Sequence, residues 1–226
     1  CLYSQFSYLW LGDFLMSVQR FSKSNIFGYK SRFSNAWSLS AVGGTISTLG
    51  GYKIHTFSTV GTNFFNFYGT TLTVEYLVIG GGGGGEADTG ASAAGGGAGG
   101  YQTGLLNISV SNNTVVVGGG GFRGNPINSS NPGSHGESSQ FGNIISFGGG
   151  GGDNYSGTVG SGGGAGNTAK SAPSNFTSSQ GNSGANSTNP SSSFRCGSGG
   201  GAGSAGSTAP GNGGAGLVST ISGSSV

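Results

Sequence analysis

The sequence predicts an all-β, partly non-regular chain: a small β-sandwich over 43–79, then a bundle of polyglycine-II-like rods over 80–226 with inserted β-hairpins and long loops. Three observations carry that class. Eight of the 53 glycines precede residue 80, and most of the other 45 gather into seven short runs. The segments between the runs hold Phe, Tyr, Ile, Leu and Val, which flexible Gly/Ser linkers of similar composition lack. Ahead of the first run, from Gly44 to Ile79, β-branched and aromatic residues alternate between Gly and Asn breakers.

Residues 1–42 read as an aromatic-rich docking segment. Phe, Tyr, Trp and Ser dominate it, with Arg20, Lys23, Lys30 and Arg32 scattered among the rings, and neither a helical nor a strand period is clean. Cations interleaved with aromatics are also a way to hold single-stranded nucleic acid. Their sparseness here favours packing instead. The apolar stretch Leu9–Met16 is far shorter than the ~18 residues of a membrane span, and no basic region frames it as a signal peptide. Beginning at Cys1, the chain reads as a processed or partial piece of something longer.

Strands are expected at 45–49, 52–59, 64–68 and 72–79. In the last, Leu72, Val74, Tyr76 and Val78 share one face. Further strand-like pieces lie at 105–110, 114–117 and 140–147, and the Ser111–Asn113 stretch reads as the turn of a hairpin.

The glycine runs are 80–85, 95–100, 118–121, 148–152, 160–166, 197–206 and 211–216. Strict Gly-X-Y repetition is absent and the chain has five prolines, so collagen is excluded. Extended three-residue-per-turn rods remain. At about 3.1 Å per residue a six-residue run spans roughly 19 Å. Ordering a glycine costs roughly 0.5–1 kcal/mol more than ordering alanine, while a backbone hydrogen bond returns about 0.5–1.5 kcal/mol net. Nearly every amide must therefore pair, and folding of the bundle should be all-or-none. If consecutive rods alternate in direction, 86–94, 122–147, 167–196 and the chain from 217 share one end, while 101–117, 153–159 and 207–210 share the other. Long loops on a stiff scaffold are where binding concentrates.

Eight Lys/Arg against six Asp/Glu give a net charge of +2 without a basic patch, so neither nucleic acid nor an anionic membrane is an expected partner. Cys1 and Cys196 either pair or stay as thiols, and their spacing binds no metal. Matches to Asn-X-Ser/Thr occur at Asn107, Asn112, Asn128, Asn154, Asn175 and Asn186, as chance dictates in so Asn/Ser-rich a chain. No Gly-x-Ser-x-Gly element, phosphate loop or acidic calcium loop is present. His135 and Glu137 form the one His–carboxylate pair close in sequence, in a stretch read as solvated loop. Glu86 and Asp88 sit where a glycine run meets a loop, as a solvated pair or a metal contact. The expectation is a protein without enzymatic activity, cofactor or metal.

GYKIHTF at 51–57, LTVEYLVI at 72–79 followed by polyglycine, GGAGGYQTG at 97–104 and GGAGLVSTISGSS at 213–225 together resemble the glycine-rich domain of bacteriophage tail fibres and tail-fibre adhesins. The likeness covers roughly 43–226 and is ordered along the chain. It implies a virion tail component with polyglycine-II packing, whose loops between glycine segments meet the host. Here those are 122–147 and 167–196. Phe122, Arg123, His135, Tyr155, Phe176, Phe194 and Arg195 are the candidate receptor contacts, because rings and guanidinium forks supply specific contact area. The implied partners are other tail or fibre proteins, copies of the same chain in a larger assembly, and a host glycan or outer-membrane protein. Two other readings stay open: an extracellular filament or surface structural subunit of a cell, and ice binding through flat rod faces.

Overall fold

The computed structural model describes residues 40–49, 51–87, 93–125, 131–166, 171–173, 175–188, 196–208 and 211–222. Most of the docking segment expected at 1–42 therefore lies outside the described residues. Those described are all-β, with two open antiparallel sheets and no helix. The larger sheet has the order β1 (Ser40–Val42), β4 (Gly61–Ile79), β5 (Tyr101–Val117), β6 (Ser139–Phe141), β7 (Ile144–Ser146), and β2 (Thr45–Leu49) pairs with β3 (Tyr52–Thr56) in the smaller.

The expected hairpin around Ser111–Asn113 does not form. β5 runs straight through it and pairs with β4 from Gly61↔Val117 to Ile79↔Tyr101. The two strands expected at 64–68 and 72–79 merge in the same ribbon, with the register shift between Phe67 and Thr71 absorbing the Tyr68–Thr70 stretch as a bulge. Turn residues at 111–113 thus meet a bend rather than a reversal. Bending lets Phe65, Phe67 and Val115 from one half of the ribbon pack on Val74 and Ile108 from the other, with Ala41 of β1 completing the core. Val74 and Val78 are buried while Glu75 and Ile79, between and beyond them, are exposed, so the expected inward face of the strand holds. The piece at 140–147 divides into β6 and β7 at Gly142–Asn143, where Gly142 takes φ 57° as the first residue of a two-residue hairpin turn.

Beyond the sheet, the glycine segments are joined by hydrogen bonds that repeat every three residues. Gly80, Gly83 and Glu86 donate to the carbonyls of Gly100, Gly97 and Ala94, while Gly81, Gly84 and Ala87 donate to Glu137, Ser134 and Asn131. The carbonyls of Gly82 and Gly85 accept from Gly121 and Gly124, and those of Gly81 and Gly84 from Gly149 and Gly152, all between 2.7 and 3.0 Å. One segment therefore serves four neighbours, and meets the same neighbour again at each three-residue turn.

Followed outward, the same bonds order the described segments into two offset rows. One holds 118–124, 80–87, 94–100, 196–201 and 212–216; the other holds 131–137, 147–153, 160–165, 181–187 and 203–207. Two of these segments, 131–137 and 181–187, fall inside stretches expected to be long loops. They carry no glycine run, only Gly133 and Gly136, and Gly181 and Gly184. In these two segments single glycines three apart suffice, each standing where an added Cβ would come within 2.1 Å of a neighbour's oxygen. The run 197–206 divides at a turn closed by Gly201 N–H donating to Ser204 at 2.9 Å.

These differences rearrange the ends. Ala87, Gly124, Asp153, Gly166 and Ser187 lie at the end far from the sheet, as the pairings of Ala87 with Asn131, Gly124 with Gly85, Asp153 with Gly164 and Ala165 with Ala185 require. At the sheet end are 138–146, expected opposite, and Ile221 and Ser222, which face the β2–β3 hairpin. The stretch 154–159 runs the length of the stack, from Asn154 beside Gly133 to Val159 beside Asn175, and Thr208 Oγ1 donates to Asn186 at the far end.

His55 of β3 packs edge-on against Phe65, ring centroids 4.9 Å apart. Burial lowers its pKa below the ordinary histidine value of 6.5, against the opposite pull of the Gly43 carbonyl and with a further lowering from Lys53. The unfolded chain therefore takes up the proton first as pH falls. His55 contributes stability that is fully present above about pH 6.5 and is lost as pH drops through the folded-state value. Melting temperatures recorded from about pH 7.5 to about pH 5 should fall on the acid side, and His55→Gln should flatten that slope.

Candidate functional site

The far end of the stack, with the edge formed by 118–124 and 131–137, holds Phe122, Arg123, His135 and Tyr155 of the expected contact set, while Phe176 lies beside Val159 toward the sheet end. Segment 118–124 is terminal in its row. Its Gly121 and Gly124 donate inward to 80–87, its Phe122 carbonyl accepts from Ser134 N–H at 2.8 Å, and Gly120 is exposed. Phe122 is accordingly 82 % exposed, the most exposed large apolar side chain described, and Arg123 beside it is exposed as well. The ring and the guanidinium beside it form an outward-facing pair on this terminal segment.

His135 is employed differently. Its Nδ1 accepts from Gly151 N–H at 2.8 Å, which makes Nε2 the protonated nitrogen of a neutral ring, and Nε2–H donates to the Ser156 carbonyl at 2.7 Å. Glu137 Oε2 accepts from Gly119 N–H at 2.9 Å. The two side chains close in sequence thus face different neighbours, and His135 pins the 154–159 stretch to the stack. Tyr155 places its hydroxyl 2.9 Å from the Ser171 carbonyl and 3.3 Å from Asp153 Oδ1. Phe176 is half-buried and bridges to Val159 in parallel, while Asn175 Nδ2 donates to the same Ser156 carbonyl that His135 uses. His135, Ser156, Asn175 and Phe176 are therefore brought together as an anchor, with Phe122 and Arg123 left outward. Phe194 and Arg195 lie outside the described residues.

Two groups here escaped sequence reasoning. Glu86, expected to be solvated, is 6 % exposed, and its Oε2 accepts from Ala94 N–H at 3.0 Å, closing the gap where the chain leaves and re-enters the stack. Asp153, 8 % exposed and at φ 53°, accepts from Gly166 N–H at 2.8 Å. Both carboxylates press on Gly166, where an added Cβ would come within 2.6 Å of Glu86 Oε2 and of the Asp153 carboxyl carbon. Asp153 directly follows a five-glycine run and Glu86 a six-glycine run, and that shared position was the available signal. Asp88, the partner expected for Glu86, is outside the described residues. Among the described residues no group of three His, Cys, Asp or Glu side chains could hold a metal ion.

A sheet base carrying a two-row stack of glycine segments, with one polar-capped far end, defines a glycine-rich all-β protein whose sheet and stack are continuous in chain. The chain belongs to the glycine-rich domain family, whose match spans residues 58–226. Comparison with curated proteins and comparison with solved structures each found no match.

Proposed function

We propose that this chain is a structural virion protein, a bacteriophage tail-fibre or adhesin subunit that attaches the particle to a bacterial surface without doing chemistry there. The glycine segments act in it as polyglycine-II-like rods, and the β2–β3 hairpin acts as the second layer of a small sandwich over the bent ribbon. The observation that carries the reading is the three-residue period of the bonds between segments. That period suits a rod with three residues per turn, and a lattice of such rods is stiff, since each rod is held from several sides. Stiffness is what a fibre end needs if it is to present a ring and a guanidinium without losing ordering entropy on contact. Membership of the glycine-rich domain family agrees with the reading, as does the likeness of 51–57, 72–79, 97–104 and 213–225 to tail-fibre adhesins. The partners are a host glycan or outer-membrane protein at the far end and other tail proteins at the sheet end, in a homo-oligomer or larger assembly on the virion tail.

The test is binding of the purified, fluorescently labelled chain to host cells. Phe122→Ala with Arg123→Ala should weaken binding by about tenfold or more and leave the melting temperature unchanged, because both side chains are exposed. Binding equal to wild type would remove these two residues from the contact. Ordered filaments formed by the chain alone, with no affinity for cells, would favour the surface-filament alternative.

A further inference from the structure

Between the β2–β3 hairpin and the bent ribbon lies a cavity of about 440 Å³, within the size range of small-molecule sites. Its walls are mainly apolar, with Ile54, Phe65, Val74, Val78 and Phe141 on several sides. The polar exception at its heart is His55. Nδ1 lies 2.8 Å from the Gly43 carbonyl, which can only accept, so Nδ1 carries the hydrogen and Nε2 presents a lone pair. That Nε2 is buried and has no hydrogen-bond partner. A buried acceptor without a donor is a standing cost in a folded protein, and a cavity beside it is where the donor belongs.

We propose that this cavity is a binding site for a planar apolar group bearing one hydrogen-bond donor, of the indole or phenol class, seated with its N–H or O–H on His55 Nε2. The class follows from the walls. Aliphatic and aromatic side chains exclude a charged ligand, the lone pair on Nε2 requires a donor rather than an acceptor, and Phe65 and Phe141, 5.9 Å apart and edge-to-face, leave ring edges that suit an aromatic guest. Nε2 is covered as it stands, so a lining side chain must change rotamer to admit the donor. Lys53 and Glu75 also line the cavity and give it a polar margin.

Two sources offer this chemistry: a free small molecule, and a tryptophan side chain of the chain itself. Both tryptophans of this chain, Trp10 and Trp37, precede β1 in sequence, so their emission reports on the second source without truncating the protein. The experiment is a calorimetric titration of the full-length chain with indole, with tryptophan emission recorded alongside. Saturable binding that weakens tenfold or more in His55→Phe would support the site and identify a free ligand. No uptake by wild type, uptake by the Trp10→Ala/Trp37→Ala variant, and a red shift of wild-type emission on His55→Phe would support the site and identify an internal side chain. Should His55→Phe not fold, the ¹⁵N resonance of His55 Nε2 in protein carrying the native histidine must move upfield as indole saturates it. Failure of indole to bind either protein, with that resonance unmoved, overturns the proposal.

Discussion

Gly99→Ala is expected to lower the stability of the whole stack by about 3 kcal/mol or more, whereas Gly82→Ala, on the same row, should be neutral or slightly stabilising. A Cβ at Gly99 would overlap the carbonyl of Gly80. That carbonyl is backbone in a neighbouring segment and cannot swing aside. Relief requires 94–100 to move away from 80–87, breaking the bonds from Gly80, Gly83 and Glu86 together, each contributing about 0.5–1.5 kcal/mol net. At Gly82 the nearest atom to a new Cβ is the Gly97 carbonyl oxygen at 3.9 Å, an ordinary contact. Alanine there stiffens the unfolded chain and should add up to about 1 kcal/mol. In a chain of this size 3 kcal/mol corresponds to roughly 6–12 °C in melting temperature. Circular dichroism melts of the two variants give the comparison. Equal melting temperatures would mean that the segments are not packed in this lattice. A melt of Gly99→Ala that stays a single sharp transition would show that the segments fold as one unit.

The second large effect is expected at Gln180. This side chain is 7 % exposed and joins the stack to the sheet: Oε1 accepts from Phe147 N–H at 2.8 Å and Nε2 donates to the Ile145 carbonyl at 3.0 Å. Its own carbonyl accepts from Tyr101 N–H at 2.9 Å, at the point where β5 begins. Gln180→Ala strips the first two bonds and leaves Phe147 N–H without its partner, at a cost of about 2–3 kcal/mol. Gln180→Glu, which keeps the acceptor and loses the donor, should cost less. Hydrogen exchange at Phe147 offers a local readout. Protection of that amide should fall in Gln180→Ala and persist in Gln180→Glu, and unchanged protection in both would dissociate Gln180 from the joint.

The alternation of Leu72, Val74, Tyr76 and Val78 was legible because a half-buried strand writes its two faces directly into the chain. The same reading missed the path of β5, since Ser-Asn-Asn serves a bend as readily as a reversal, and the partner that decides between them, β4, is distant in sequence. Glycine runs announced most of the stack. They did not announce 131–137 and 181–187, where a lone glycine per turn meets the requirement of close packing. That omission moved the loops: 138–146, grouped with the host-facing stretches, belongs to the sheet, and His135 became an internal brace. Phe122 and Arg123 are exposed because the segment that bears them is terminal in its row. Gln180 gave no signal of its own, and Glu86 only its place directly after a glycine run. Their roles arise from what lies opposite them in a lattice whose register no local pattern records.

Attachment of a particle to its host through the far end of the stack is most directly tested by electron microscopy of intact virions labelled with an antibody to residues 122–147. Label at the distal tips of tail fibres is the predicted result. Label spread along filaments that carry no capsid would contradict it and indicate a structural polymer of a cell surface.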